Sequence, residues 1–125
     1  MTTITLPWPP AVNNLFVNAG KRRIKSERYK AWLTEAGWEL RRQRPESVVG
    51  RFCVTITAHA PDNRVRDLDG LAKAPLDLLT THGVIEDDHL ARSLHIIWSD
   101  VAPSMPGFVI VTITPEAAPA LAAAA

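Results

Sequence analysis

Between Phe52 and His59 the chain alternates strictly. Phe52, Val54, Ile56 and Ala58 are apolar, and Cys53, Thr55, Thr57 and His59 stand between them. A period of two sends the two sets to opposite faces of an extended segment, which predicts a half-buried strand. A sheet with one wet face and one apolar face needs another layer on its apolar side, so this segment already demands partners elsewhere in the chain.

The partners are legible. Thr3-Ile4-Thr5-Leu6 alternates in the same way and is closed by Pro7, Pro9 and Pro10, which lack a ladder donor. Residues 94–98 and 108–114 read as two further strands joined by a Pro/Gly loop. Ser26 is a good N-cap, and Tyr29, Trp32, Leu33, Ala36 and Leu40 after it form one helical face that Pro45 terminates. Leu68, Leu71, Ala72, Leu76 and Leu79 form the stripe of a second helix that ends at Gly83. Pro75 falls inside this stripe, which predicts either a kink or a 3₁₀-like first turn. Residues 11–25 read as a loop leading into a basic run. The resulting order, β-α-β-α-β-β, predicts an α+β domain with a mixed sheet of about four strands and two helices over residues 1–114. The Ala/Pro-rich residues 115–125 read as a disordered tail.

The chain has 125 residues, enough for one core without covalent staples, and its single cysteine, Cys53, excludes an internal disulfide and a cysteine zinc cluster. No apolar run approaches the length of a membrane span, and no leader pattern opens the chain, so the expected setting is the cytoplasm, away from membranes.

The net charge of +1 conceals a polarity. Residues 1–66 carry 12 of the 14 Lys/Arg against 5 of the 13 Asp/Glu, a net of +7; residues 67–125 carry 2 against 8, a net of −6. A basic surface for a polyanion beside an acidic metal site has this composition, and so does a protein whose opposite charges simply fold together. The acidic half contains Asp67 and Asp69, two residues apart where a loop enters the second helix, then Lys73, then Glu86-Asp87-Asp88 in the turn after it. A loop–helix–turn excursion that brought its ends together would gather three carboxylates and a lysine. Carboxylate oxygens suit Mg²⁺, with Mn²⁺ as a substitute, and offer zinc no soft ligand. Such a metal activates water for in-line attack on a phosphate, and a lysine beside it stabilises the developing charge. The same residues also admit a structural account: Asp69 as a helix cap, Asp67 paired with Arg64 or Arg66, and Asp87-Asp88 as a solvated turn.

Taken together, Leu6-Pro7-Trp8-Pro9-Pro10, Pro61-Asp62, Arg66-Asp67-Leu68-Asp69, Lys73 and Asp87-Asp88 resemble the RusA family of Holliday junction resolvases over residues 3–114. The resemblance implies a Mg²⁺-dependent endodeoxyribonuclease, a homodimer without a small-molecule cofactor, that resolves four-way DNA junctions by paired nicks. It implies that Asp67, Asp69 and Asp88 bind the metal and that Lys73 is catalytic. Gly70 and Pro75 depart from the family pattern. Nearby readings are a nuclease for flaps or branched DNA generally, and a non-catalytic DNA-binding protein of the same fold.

Lys21, Arg22, Arg23, Lys25, Arg28 and Lys30 are the candidate phosphate contacts; Arg64 and Arg66, beside the acidic site, either hold the scissile strand or only balance Asp62 and Asp67. The four histidines show no metal-ligand spacing. Trp32 and Trp38 read as core or interface residues. Trp8, Trp98 and the 108–113 strand are candidates for the dimer contact.

Overall fold

The computed structural model describes residues 1–116. Six strands and two helices follow in the order β1 (Thr2–Pro7), β2 (Phe16–Ala19), β3 (Arg22–Lys25), α1 (Glu27–Gln43), β4 (Phe52–His59), α2 (Lys73–Thr81), β5 (Ala91–Trp98) and β6 (Phe108–Pro115). Short 3₁₀ turns lie at Val12–Asn14, Asp69–Leu71 and Asp88–Leu90. The tail expected from residue 115 lies almost wholly outside the described residues.

The main sheet has the order β1-β6-β4-β5. β6 runs antiparallel to both β1 and β4, whereas β4 and β5 are parallel, with Phe52 opposite Ala91 and Ala58 opposite Trp98. A parallel pair requires a crossover, and α2 supplies it. The alternation read from sequence is observed: Ile4, Leu6, Val54, Ile56, Val109, Val111 and Ile113 are buried against Tyr29, Trp32, Ala36 and Leu40 of α1 and Ala74, Leu78 and Leu79 of α2. Thr3, Thr5, Thr55, Thr57 and Thr112 occupy the other, wetter face. β6 is therefore an interior strand with no free edge, and only its half-buried outer face, with Phe108, Ile110 and Thr112, is left for the expected dimer contact.

Local chemistry sets the helix ends. Ser26 caps α1, its Oγ accepting from the Tyr29 N–H at 3.1 Å. Arg44 closes the helix in the left-handed region (φ 49°), and Pro45 behind it disfavours helical continuation. Pro75 produces no kink. It is the third residue of α2, where a backbone N–H needs no partner within the helix, and the tight turn expected there is the 3₁₀ segment Asp69–Leu71 just before it.

One expectation fails. Residues 16–25 form a β-hairpin, with Phe16 opposite Lys25 and Ala19 opposite Arg22, instead of a loop. Its turn is Gly20-Lys21, and Gly20 has φ +65°, a conformation glycine adopts without strain. A glycine in a two-residue turn was the available signal, masked by the dense positive charge of the second strand.

Candidate active site

β1, β4 and β5 run in the same direction, so the segments that follow them meet at one end of the sheet. There a cleft of about 770 Å³ is bordered by Trp8 after β1, Asn13 and Asn14 of the first 3₁₀ turn, Arg28 of α1, residues 61–71 after β4, and Met105-Pro106 before β6. The floor is fastened from several sides. Ser26 Oγ donates to the Asn14 carbonyl at 2.6 Å, tying the start of α1 to the wall. Trp32 Nε1 donates to the Pro7 carbonyl at 3.0 Å beneath Trp8. The loop before β6 is held by His59 Nε2 and Ser104 Oγ at 3.0 Å and by the Ser104 N–H donating to the Ala60 carbonyl at 3.0 Å.

Asp67 and Asp69 both border this cleft. The structural account of them fails on each point. The N-cap position of α2 is Ala72, so Asp69 is not its cap. Arg64 and Arg66 pair with Asp62 instead of Asp67: Arg66 Nη2 lies 2.6 Å from Asp62 Oδ1, and Arg64 Nε lies 3.3 Å from Asp62 Oδ2. Among the described residues, neither Asp67 nor Asp69 has a side-chain hydrogen bond or ion pair. Asp62, by contrast, is held by the Arg64 N–H and by both guanidinium groups. The Arg64 N–H and then the Arg66 guanidinium hold its carboxyl below the usual carboxylate range. Arg66 also lies over the Trp8 ring, 5.5 Å from its centroid, and Trp8 stacks on Trp98 at 6.2 Å.

Lys73 is the first residue of α2, at the same end of the sheet as Asp69. Its Nζ lies 3.1 Å from Asp77 Oδ1, and Tyr29 Oη donates to Asp77 Oδ2 at 3.3 Å. Burial first, and then the Asp77 charge, push the Tyr29 hydroxyl up to about 12. Asp77 was missed from sequence, although its i+4 spacing from Lys73 on one helix face was the signal.

Asp88 does not join them. It precedes β5, whose start pairs with the start of β4, while Asp67 and Asp69 follow the end of β4. The strand between spans roughly 23 Å at about 3.3 Å per residue. The excursion through α2 thus separates its ends instead of closing them, because a parallel crossover must return to the opposite end of the strands. Among the described residues, no three His, Cys, Asp or Glu side chains are grouped to hold a metal ion. Beside Asp88, Asp87 is held down to about 2, mainly by the His89 side chain and then by the His89 N–H.

Lys21, Arg22, Arg23 and Lys25 are exposed on the hairpin, with Arg23 over the Phe16 ring at 5.3 Å. Arg28 is exposed at the cleft rim, and Lys30 pairs with Glu27 at 3.3 Å. Arg64 is 82% exposed and Arg66 only 18%, so only Arg64 of that pair is open to solvent. Gly70 packs close to Val12: a Cβ there would stand 3.7 Å from its Cγ1, in ordinary contact.

A small α+β domain with two unpartnered aspartates in an arginine-rimmed cleft has the composition of a metal-assisted nuclease of the phosphodiester-cleaving class. The comparisons name the family. The family model "Endodeoxyribonuclease RusA" matches residues 7–113, and the chain belongs to that family. It is similar to the crossover junction endodeoxyribonuclease RusA of Aquifex aeolicus (strain VF5), at 32% identity over 93 residues, 74% of this chain and 73% of that protein. The protein of the same name from Escherichia coli O139:H28 is 31% identical over 114 residues, covering 90% and 92% of the two chains. That of Shigella sonnei (strain Ss046) is 37% identical over 93 residues. No helix among the described residues is long and apolar enough to cross a membrane.

Proposed function

We propose that this chain is a crossover junction endodeoxyribonuclease that hydrolyses phosphodiesters at four-way DNA junctions with Mg²⁺, or Mn²⁺ in its place. The observation that carries the reading is the pair Asp67 and Asp69, free of structural partners, in a cleft rimmed by Arg28 and Arg64. Mg²⁺ is commonly held by only one or two carboxylates, keeping waters and taking substrate phosphate oxygens in its remaining positions. Two hard-oxygen donors that neither cap a helix nor pair with a cation fit that demand.

When bound, the metal supplies an activated water and screens the negative charge of the phosphate. Arg28 and Arg64 attract the backbone into the cleft, and Trp8 forms its wall. Lys73, held by Asp77, supplies positive charge at the Asp69 end of α2. The basic hairpin extends the phosphate-binding surface, with Arg66 serving to hold the loop before Asp67.

In this reading the third carboxylate is Asp88 of the partner subunit in a C₂ homodimer. Each chain keeps its own Asp88 at the end of its sheet away from the cleft, and a two-fold axis can exchange the two. Two sites so formed also match the two nicks that junction resolution requires.

The test uses two inactive proteins. Asp69→Asn and Asp88→Asn should each bind junctions without nicking them. After subunit exchange, a mixed dimer has one site with both carboxylates intact, so nicking of one strand should return. A mixture that stays inactive would place both carboxylates on one chain and remove the shared site. Chelator should abolish nicking throughout, and flap and linear duplex substrates should remain uncut; equal cutting of flaps would broaden the substrate to branched DNA.

A further inference from the structure

The far end of α1 carries a surface that the cleft does not use. Trp38 is 67% exposed, the most exposed aromatic side chain among the described residues, which removes the core half of its core-or-interface expectation. The Arg41 guanidinium lies over its ring, 4.9 Å from the centroid. Arg42 is 70% exposed and pairs with Glu39 at 2.7 Å. Arg44, the C-cap residue in the left-handed region, is exposed. Together these residues border one shallow concavity.

The negative end of the helix dipole accounts for Arg41 and Arg42. It does not account for an indole left in water beside them. Three arginines facing one glutamate leave an excess of positive charge, and an arginine-backed aromatic at a basic rim suits a sugar–phosphate backbone. The spacing along α1 is informative. Arg28 borders the cleft, and Arg41 lies thirteen residues further on, about 20 Å along the helix axis at 1.5 Å per residue, on the solvent side of α1 rather than on Arg28's own face. At about 3.4 Å per nucleotide of one strand, that is roughly six base pairs of duplex.

We infer that the Trp38–Arg41–Arg44 end of α1 contacts the phosphate backbone of a duplex arm about six base pairs from the cleft. The inference rests on the junction-nuclease reading, and it adds a second contact region that holds the direction in which an arm leaves the site. Its ligand is DNA backbone, recognised by charge and not by base sequence.

The test compares the full-length chain with a variant combining Trp38→Ala, Arg41→Gln and Arg44→Gln, on four-way junctions whose arms carry uncharged methylphosphonate linkages. These linkages lie either beside the branch point or about five to eight nucleotides from it. The distal linkages should weaken wild-type binding several-fold and leave the variant unaffected. The branch-proximal linkages should weaken both proteins equally. On unmodified junctions the variant should bind several-fold more weakly, with a log–log salt slope shallower by up to about 1.8 for the two lost guanidinium contacts. A wild type indifferent to distal neutralisation, or a variant as sensitive as wild type, overturns the contact. A variant that keeps distal sensitivity but changes its sedimentation makes this face a contact between copies, which also overturns it. Nicking is read on the same complexes: wild type that binds with distal sensitivity yet never nicks keeps the contact and removes the nuclease reading instead.

Discussion

Arg66 Nη2 meets Asp62 Oδ1 at 2.6 Å, and that ion pair spans the loop that delivers Asp67 to the cleft. The same guanidinium also donates to the Asp62 carbonyl at 3.1 Å and the Arg64 carbonyl at 3.2 Å. One arginine side chain thus closes a turn of backbone whose next residue is a candidate metal ligand.

Asp62→Ala should therefore slow nicking by on the order of ten- to a hundredfold, since small displacements of a reacting group carry penalties of that size. Junction affinity should hold or tighten, because two guanidinium groups are released towards DNA. Single-turnover nicking and equilibrium binding on the same junction check this. Unchanged nicking would show that the loop holds Asp67 without the ion pair.

Tyr29 is the only tyrosine of the chain, so ultraviolet titration of tyrosinate reads it alone. Its native ionisation should fall near 12, against about 10 when unfolded. A group whose native pKa is raised contributes stability that is complete below the unfolded value and is lost as pH rises towards the native one. Stability should accordingly fall between about pH 10 and pH 12. Asp77→Asn should lower the native ionisation part of the way back, leaving the portion due to burial. An unmoved midpoint would separate Tyr29 from Asp77, and with it the support beneath Lys73.

Gly107 stands at φ +77°, and a Cβ there would approach Pro61 N and Cδ to 2.8 Å. Gly107→Ala should destabilise the fold by about 1–3 kcal/mol from backbone strain, with added crowding at the entrance to the cleft loop. The denaturant midpoint should drop at constant slope. Nicking should slow as well, because Met105-Pro106 and Pro61 form the same wall. A midpoint within error of wild type would show that the two loops separate readily.

Much of this architecture is local, and local structure is what sequence patterns encode. The alternation at 52–59, the face of α1 from Tyr29 to Leu40, the Ser26 cap and the stop before Pro45 each follow from the steric and hydrogen-bonding demands of a few neighbouring residues. The motif around Asp67, Asp69 and Lys73 was visible because its members lie within one loop and one helical turn. The hairpin at 16–25 was less legible: its strands are short and polar, and pairing with each other, not burial, defines them.

What tertiary structure alone decided was distance and allegiance. Sequence spacing could not choose between Arg66 pairing with Asp67 and with Asp62, because both carboxylates are within reach of a long flexible side chain. Only the folded loop, with Trp8 beneath the guanidinium, selects Asp62 and leaves Asp67 free. Nor could spacing say where Asp88 stands. Nineteen residues after Asp69 is compatible with either end of a sheet; the parallel pairing of β4 with β5 places it at the opposite one. Residue types and their local order thus determined which groups are available for chemistry. The parallel direction of one crossover determined which of them a single chain can bring together.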